Sequence, residues 1–139
     1  MTFTQITLET AKAQMDRYPK AVQWCTRLQQ DGGMGWCEGV TVNIGWAQAT
    51  FEHEMGHACA NILRIEKELG ALAMAQPGAQ AQTNENIFCY GAQRLARGEY
   101  ETALAEYAAD AIAWYYRDRE RGTSELPAPV AAYLATKLA

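Results

Sequence analysis

The chain has two histidines, and they stand four residues apart around a glutamate, in His53-Glu54-Met55-Gly56-His57. On a helix that spacing puts both imidazoles on one face, where they can hold one ion at nitrogen–metal distances of about 2.0–2.1 Å. Glu54 projects about 100° around the helix from His53, so its carboxylate can reach water on the ion without being a ligand. Such a set suits metal-assisted hydrolysis. Zn2+ polarises a carbonyl and brings the pKa of bound water towards about 7, while the carboxylate takes the water's proton and passes it to the leaving amine. With only two histidines in the chain, this spacing around a glutamate is a rare chance event, and it falls inside an expected helix.

A catalytic zinc usually takes three protein ligands plus water, and the chain offers no third histidine. Ala60 and Leu63 stand where the metzincin pattern needs glycine and histidine, which excludes that arrangement. The third ligand is therefore a carboxylate or a cysteine. Glu85 is favoured, because it begins an expected helix after a loop long enough to lay that helix antiparallel beside the first. Cys89, one turn later, and Glu106 or Asp110 on the long helix are the alternatives; those two acids could instead orient a histidine or form a solvated face. Glu66 and Glu68 lie about 13–17 Å along the expected helix from His57, too far to reach the ion. Tyr90 can donate a hydrogen bond to a developing oxyanion or fill the core with its hydroxyl satisfied. Arg64, two turns along from His57, either reaches the site or lays its stem on the surface.

Two histidines completed by a glutamate from a following helix resemble the gluzincins, the thermolysin-like class. The stretch from Phe51 to Leu95, with its His53–Ala58 motif, apolar helix, variable loop and Asn84-Glu85-Asn86-Ile87-Phe88-Cys89-Tyr90-Gly91, resembles small metallopeptidase-like proteins of tailed phages and prophages. The resemblance implies a minimal zincin-like domain binding Zn2+ through His53, His57 and Glu85. It further implies Glu54 as general base, Tyr90 beside it, and a peptide or protein as substrate.

The elements that must position these residues can be read from periodicity. Apolar residues from Leu8 to Leu28 recur every three or four, giving a helix capped at Thr7 and broken near Tyr18-Pro19. Asp31-Gly32-Gly33-Met34-Gly35 ends it as a mobile loop. Val40 to Trp46 alternates as a strand, expected to pair with Trp36-Cys37, the Thr2–Thr7 segment or another molecule. It leads straight into the metal helix, and in zincins an edge strand there pairs with extended substrate. The motif helix should run from Thr50 to Gly70. Ala71–Gln82 reads as a loop, and the next helix, capped at Thr83 or Asn84, runs to about Arg97-Gly98. A long helix covers Glu99–Arg121, and Pro127 and Pro129 open a short closing helix. The sum is a mostly helical α+β domain with a small sheet, in which the motif helix packs against a following ligand-bearing helix.

With 139 residues, 49% of them apolar and 20% charged, the chain forms one ordinary domain spanning 1–139. A net charge of −4 has the wrong sign for a phosphate-neutralising protein, so no nucleic-acid partner is expected. No apolar run reaches the eighteen or so residues of a membrane span, and the N-terminus lacks a signal peptide's pattern. A cytoplasmic location is expected, in the host cytoplasm if the chain is phage-encoded. The four cysteines form no Cys-x-x-Cys pair and read as small buried hydrophobes. A zinc peptidase is the leading reading. The alternative is a non-catalytic phage structural or host-interaction protein on the same scaffold, self-associating through an edge strand or a tryptophan-bearing surface.

Overall fold

A computed structural model describes residues 4–139. It is an α+β domain of seven helices and one three-stranded sheet among the described residues. Helix α1 (Leu8–Gln14) starts where expected, with the Thr7 hydroxyl accepting from the Thr10 amide and the Thr10 hydroxyl accepting from the Thr7 amide. After the 3-10 turn Met15–Arg17, Pro19 separates it from α2 (Lys20–Cys25).

Leu28, read from its spacing as helical, instead lies in strand β1 (Arg27–Gln29). β2 is Trp36–Glu38 and β3 is Thr41–Asn43. β3 pairs antiparallel with β2, as anticipated for Trp36-Cys37, and parallel with β1. Gln5 adds an isolated bridge to Ala47, while Thr2 and Phe3 of the other expected partner lie outside the described residues. β3 is thus the middle strand of the order β1-β3-β2. The outer strand beside the motif helix is β2, because a three-residue segment becomes a strand only by pairing, which local alternation does not reveal.

The motif helix α3 runs Gln48–Leu63 and ends at Arg64 in left-handed geometry (φ 58°). α4 (Glu66–Met74) follows as a separate helix, so Glu66 and Glu68 are not on the motif helix, and Gly70 is interior rather than a stop. The expected start at residues 83–84 moves to Cys89. Asn86 donates through Nδ2 to the carbonyls of Ala79 (2.9 Å) and Ala81 (2.7 Å) and accepts from the Phe88 amide (2.9 Å), closing a turn just before α5 (Cys89–Ala96). This is the familiar competition of asparagine side chains with helix formation. α6 (Tyr100–Arg121), stopped by Gly122 at φ 69°, and α7 (Ala128–Lys137) match the sequence reading.

α6 is the axis of the domain and packs against α3, α4, α5 and α7. Three glycines allow this closeness, one on each of α3, α4 and α5. A Cβ on Gly56 would stand 2.8 Å from the Ala109 carbonyl carbon, on Gly70 2.9 Å from that of Leu104, and on Gly91 2.7 Å from Cε2 of the Tyr107 ring. Tyr107, fully buried between these helices, donates its hydroxyl to the Ala79 carbonyl at 2.7 Å. Of the four cysteines, all free, Cys59 alone is buried; Cys25 is exposed, and Cys37 and Cys89 are half-buried. No helix among the described residues is long and apolar enough to cross a membrane.

Candidate metal centre

α3 presents His53 and His57 one turn apart towards α6, and the close approach at Gly56 brings Glu106 up to them. The Nε2 atoms of the two histidines are 3.1 Å apart. Glu106 places Oε2 3.0 Å from His53 Nε2 and Oε1 3.3 Å from His57 Nε2. These are the only three such ligand groups to converge among the described residues. For bonds of about 2.0–2.1 Å, the edges of a tetrahedron around zinc are roughly 3.3 Å long. The Nε2–Nε2 separation of 3.1 Å is close to that value, and each nitrogen meets a different oxygen of Glu106 at a similar distance.

Behind this triangle, Asp110 Oδ1 lies 2.7 Å from His53 Nδ1. Glu106 and Asp110 are one turn apart on α6, so one helix face supplies both the converging carboxylate and the group that orients the first histidine. With Nδ1–H donating to Asp110, the Nε2 lone pair of neutral His53 faces the Glu106 carboxylate and His57 Nε2. Atoms that all carry lone pairs repel at such distances unless a proton or a metal ion lies between them.

The titration behaviour expresses the same demand for a cation. Burial pulls the His53 imidazolium down, but hydrogen bonds and charge from Asp110 and Glu106 outweigh it and raise the pKa to about 10. Burial raises Glu106, yet the two histidines hold it well below the usual carboxylate range. Burial also raises Asp110, and its bond to His53 offsets this only in part. Without metal, a proton therefore sits on His53 between two carboxylates at neutral pH.

Glu54 is buried next to the histidines, and its Oε2 has no hydrogen-bond partner among the described residues. Burial raises its pKa against the lowering pull of His53 and His57. The carboxylate lines a cleft of about 720 Å3, walled by Met34 and Gly35, by α3, by Asn84, Asn86, Ile87, Cys89, Tyr90 and Arg94, and by Glu106, Asp110, Trp114 and Arg117 of α6. Tyr90 stands at the start of α5 in this wall, exposed, its ring centroid 5.8 Å from that of His53.

Glu85, the favoured third ligand in the sequence, is not brought to the histidines. It is exposed in the turn before α5 and lines a separate cavity of about 250 Å3 with Pro77, Gly78 and Phe88. Because Asn86 delays the helix to Cys89, the expected register of Glu85 on that helix does not exist. Cys89 reaches the cleft wall but stays outside the converging group. Arg64 caps α3 in left-handed geometry instead of lining the cleft.

One buried feature was not read from the sequence. Glu52, next to His53, accepts from Arg117 Nε at 2.6 Å and from Gln48 at 3.3 Å, with Arg17 at 3.6 Å. Arg117 also stacks over Trp114, 4.9 Å from the ring centroid. This ties the start of α3 to the end of α6. The only sequence signal for it was a glutamate at a core-facing helix position.

No known protein family, curated protein or solved structure matches the chain.

Proposed function

We propose that this protein is a zinc-dependent peptidase on a minimal zincin-like scaffold, with His53, His57 and Glu106 as the metal ligands and Glu54 as the general base. The observation that carries this reading is the convergence of the two Nε2 atoms, 3.1 Å apart, on the Glu106 carboxylate, one oxygen 3.0 Å from His53 and the other 3.3 Å from His57, with Asp110 behind the first histidine. Two neutral nitrogens and one carboxylate oxygen form a donor set suited to a catalytic zinc with an open fourth position.

When bound, the ion would supply Lewis-acid polarisation of a substrate carbonyl and acidify water. The chain's own residues do the rest. Asp110 fixes the His53 tautomer and ring plane. Glu54, unpartnered at Oε2 and raised by burial, accepts the water's proton and returns it to the leaving nitrogen. Tyr90, exposed at the cleft mouth, is placed to donate to a developing oxyanion. β2 continues from Met34 and Gly35 in the cleft wall and is an outer strand of the sheet, so an extended peptide pairing with it would enter the cleft.

The test is hydrolysis of a mixture of quenched-fluorescence peptides by zinc-loaded protein, with elemental mass spectrometry on each sample. Wild type should carry about one zinc per chain. Glu54→Gln should retain the zinc and lose turnover by about 10²-fold or more. Undiminished turnover in that variant removes Glu54 from the mechanism. Folded wild type that takes up no zinc removes the enzyme and favours a non-catalytic scaffold.

A further inference from the structure

The loop Asp31–Gly35, which joins β1 to β2, has the composition of a mobile segment but is held at several points. Asn43, fully buried on β3, engages both side-chain polar atoms with it. Its Nδ2 donates to the carbonyls of Asp31 (3.0 Å) and Met34 (2.6 Å), and its Oδ1 accepts from the Asp31 amide (2.8 Å) and from Gln29 Nε2 (3.3 Å). Gly33 lies so close to Trp46 that a Cβ would be 2.9 Å from its ring. Gly45, at φ 65°, lies against Gly35, where a Cβ would be 2.8 Å from the amide nitrogen. A buried asparagine with all its partners in place and tight backbone contacts define one loop conformation.

What this rigid loop holds out is an apolar side chain. Met34 is 79% exposed, yet it lines the same cleft as His53 and Glu54. Ile87, Trp114 and the exposed ring of Tyr90 line that cleft as well. The two cleft arginines already have carboxylate partners, Arg117 with Glu52 at 2.6 Å and Arg94 with Glu99 at 3.6 Å. With both cations engaged, Met34, Ile87 and Trp114 offer a ligand's side chain apolar surface beside the uncharged Thr50 and Asn84, and an exposed methionine is the residue type that adapts best to varied apolar shapes.

We propose that the Asp31–Gly35 loop is a preformed substrate-binding wall and that Met34 is its specificity-determining residue. It selects peptides with an apolar side chain next to the reacting carbonyl. The inference rests on the metallopeptidase reading, and the experiment separates the two.

Zinc-loaded protein is titrated calorimetrically with glycine hydroxamate and with leucine hydroxamate, which share a metal-chelating head and differ only in the side chain. Wild type should bind leucine hydroxamate about tenfold more tightly, the effect of covering part of one leucine side chain. Met34→Ser, at an exposed position, should fold, bind glycine hydroxamate as wild type does, and cut the leucine advantage to about threefold or less. Met34→Leu should keep it. Equal binding of the two probes by wild type, or an intact leucine advantage in Met34→Ser, overturns the selection while leaving the metal site standing. Wild type with no zinc and no affinity for glycine hydroxamate overturns the metallopeptidase reading and the selection with it.

Discussion

Replacing Glu106 with glutamine keeps the size of the side chain and removes the charge that faces both histidines at 3.0 and 3.3 Å. Zinc sites with four protein ligands bind with apparent free energies of about 10–16 kcal/mol, or roughly 3 kcal/mol per ligand. Loss of one ligand should therefore weaken zinc binding by about 10²-fold at neutral pH. The matched control is Glu85→Gln, a change of the same kind on an exposed turn outside the cleft, which should leave affinity unchanged. Competition against a chromogenic chelator of known zinc affinity measures both variants on one scale, and circular dichroism checks that each is folded. If Glu106→Gln binds zinc as wild type does, or if Glu85→Gln shows the large loss, the ligand set drawn from the geometry is wrong.

Two further outcomes follow from the same packing. The folded-state pKa of His53 is raised to about 10. Its stabilising contribution to metal-free protein is thus fully present below the ordinary histidine value of about 6.5 and is lost as pH rises through about 10. Between those limits zinc must displace the His53 proton, so its affinity should climb with pH and calorimetry in buffers of differing ionisation enthalpy should show about one proton released per ion near pH 8; pH-independent affinity without proton release would sink this account. Gly56→Ala should cost about 1–3 kcal/mol by overpacking against Ala109 and should also weaken zinc binding, because it pushes Glu106 away from the histidines. Gly70→Ala, which meets Leu104, should lower the unfolding midpoint in a thermal melt by a comparable amount with zinc affinity retained, and a metal defect in both variants would show that the glycine contacts act only through global stability.

The histidine pair was legible in the sequence because a four-residue spacing fixes geometry within one helix, whatever that helix packs against. For the same local reason the Thr7 cap, the break at Pro19, the long α6 with its Gly122 stop and the proline-opened α7 could be read residue by residue. Elements whose identity depends on distant partners were read only in part, the pairing of Trp36-Cys37 with β3 being the exception. Leu28 had helical spacing but became a strand through pairing with Val42, and Gly70 resembled a helix stop although its role is contact with Leu104. The carboxylate that meets the two histidines falls in this second group. Glu85, Cys89, Glu106 and Asp110 were all chemically eligible, and periodicity contains no information about which helix crosses α3 at Gly56. The tertiary structure chose Glu106, with Asp110 one turn behind it, because interhelical distance is set by the small residues at the crossing and by the whole core that holds α6 there. Sequence spacing determined which atoms could share an ion, and packing between helices decided which carboxylate joins them.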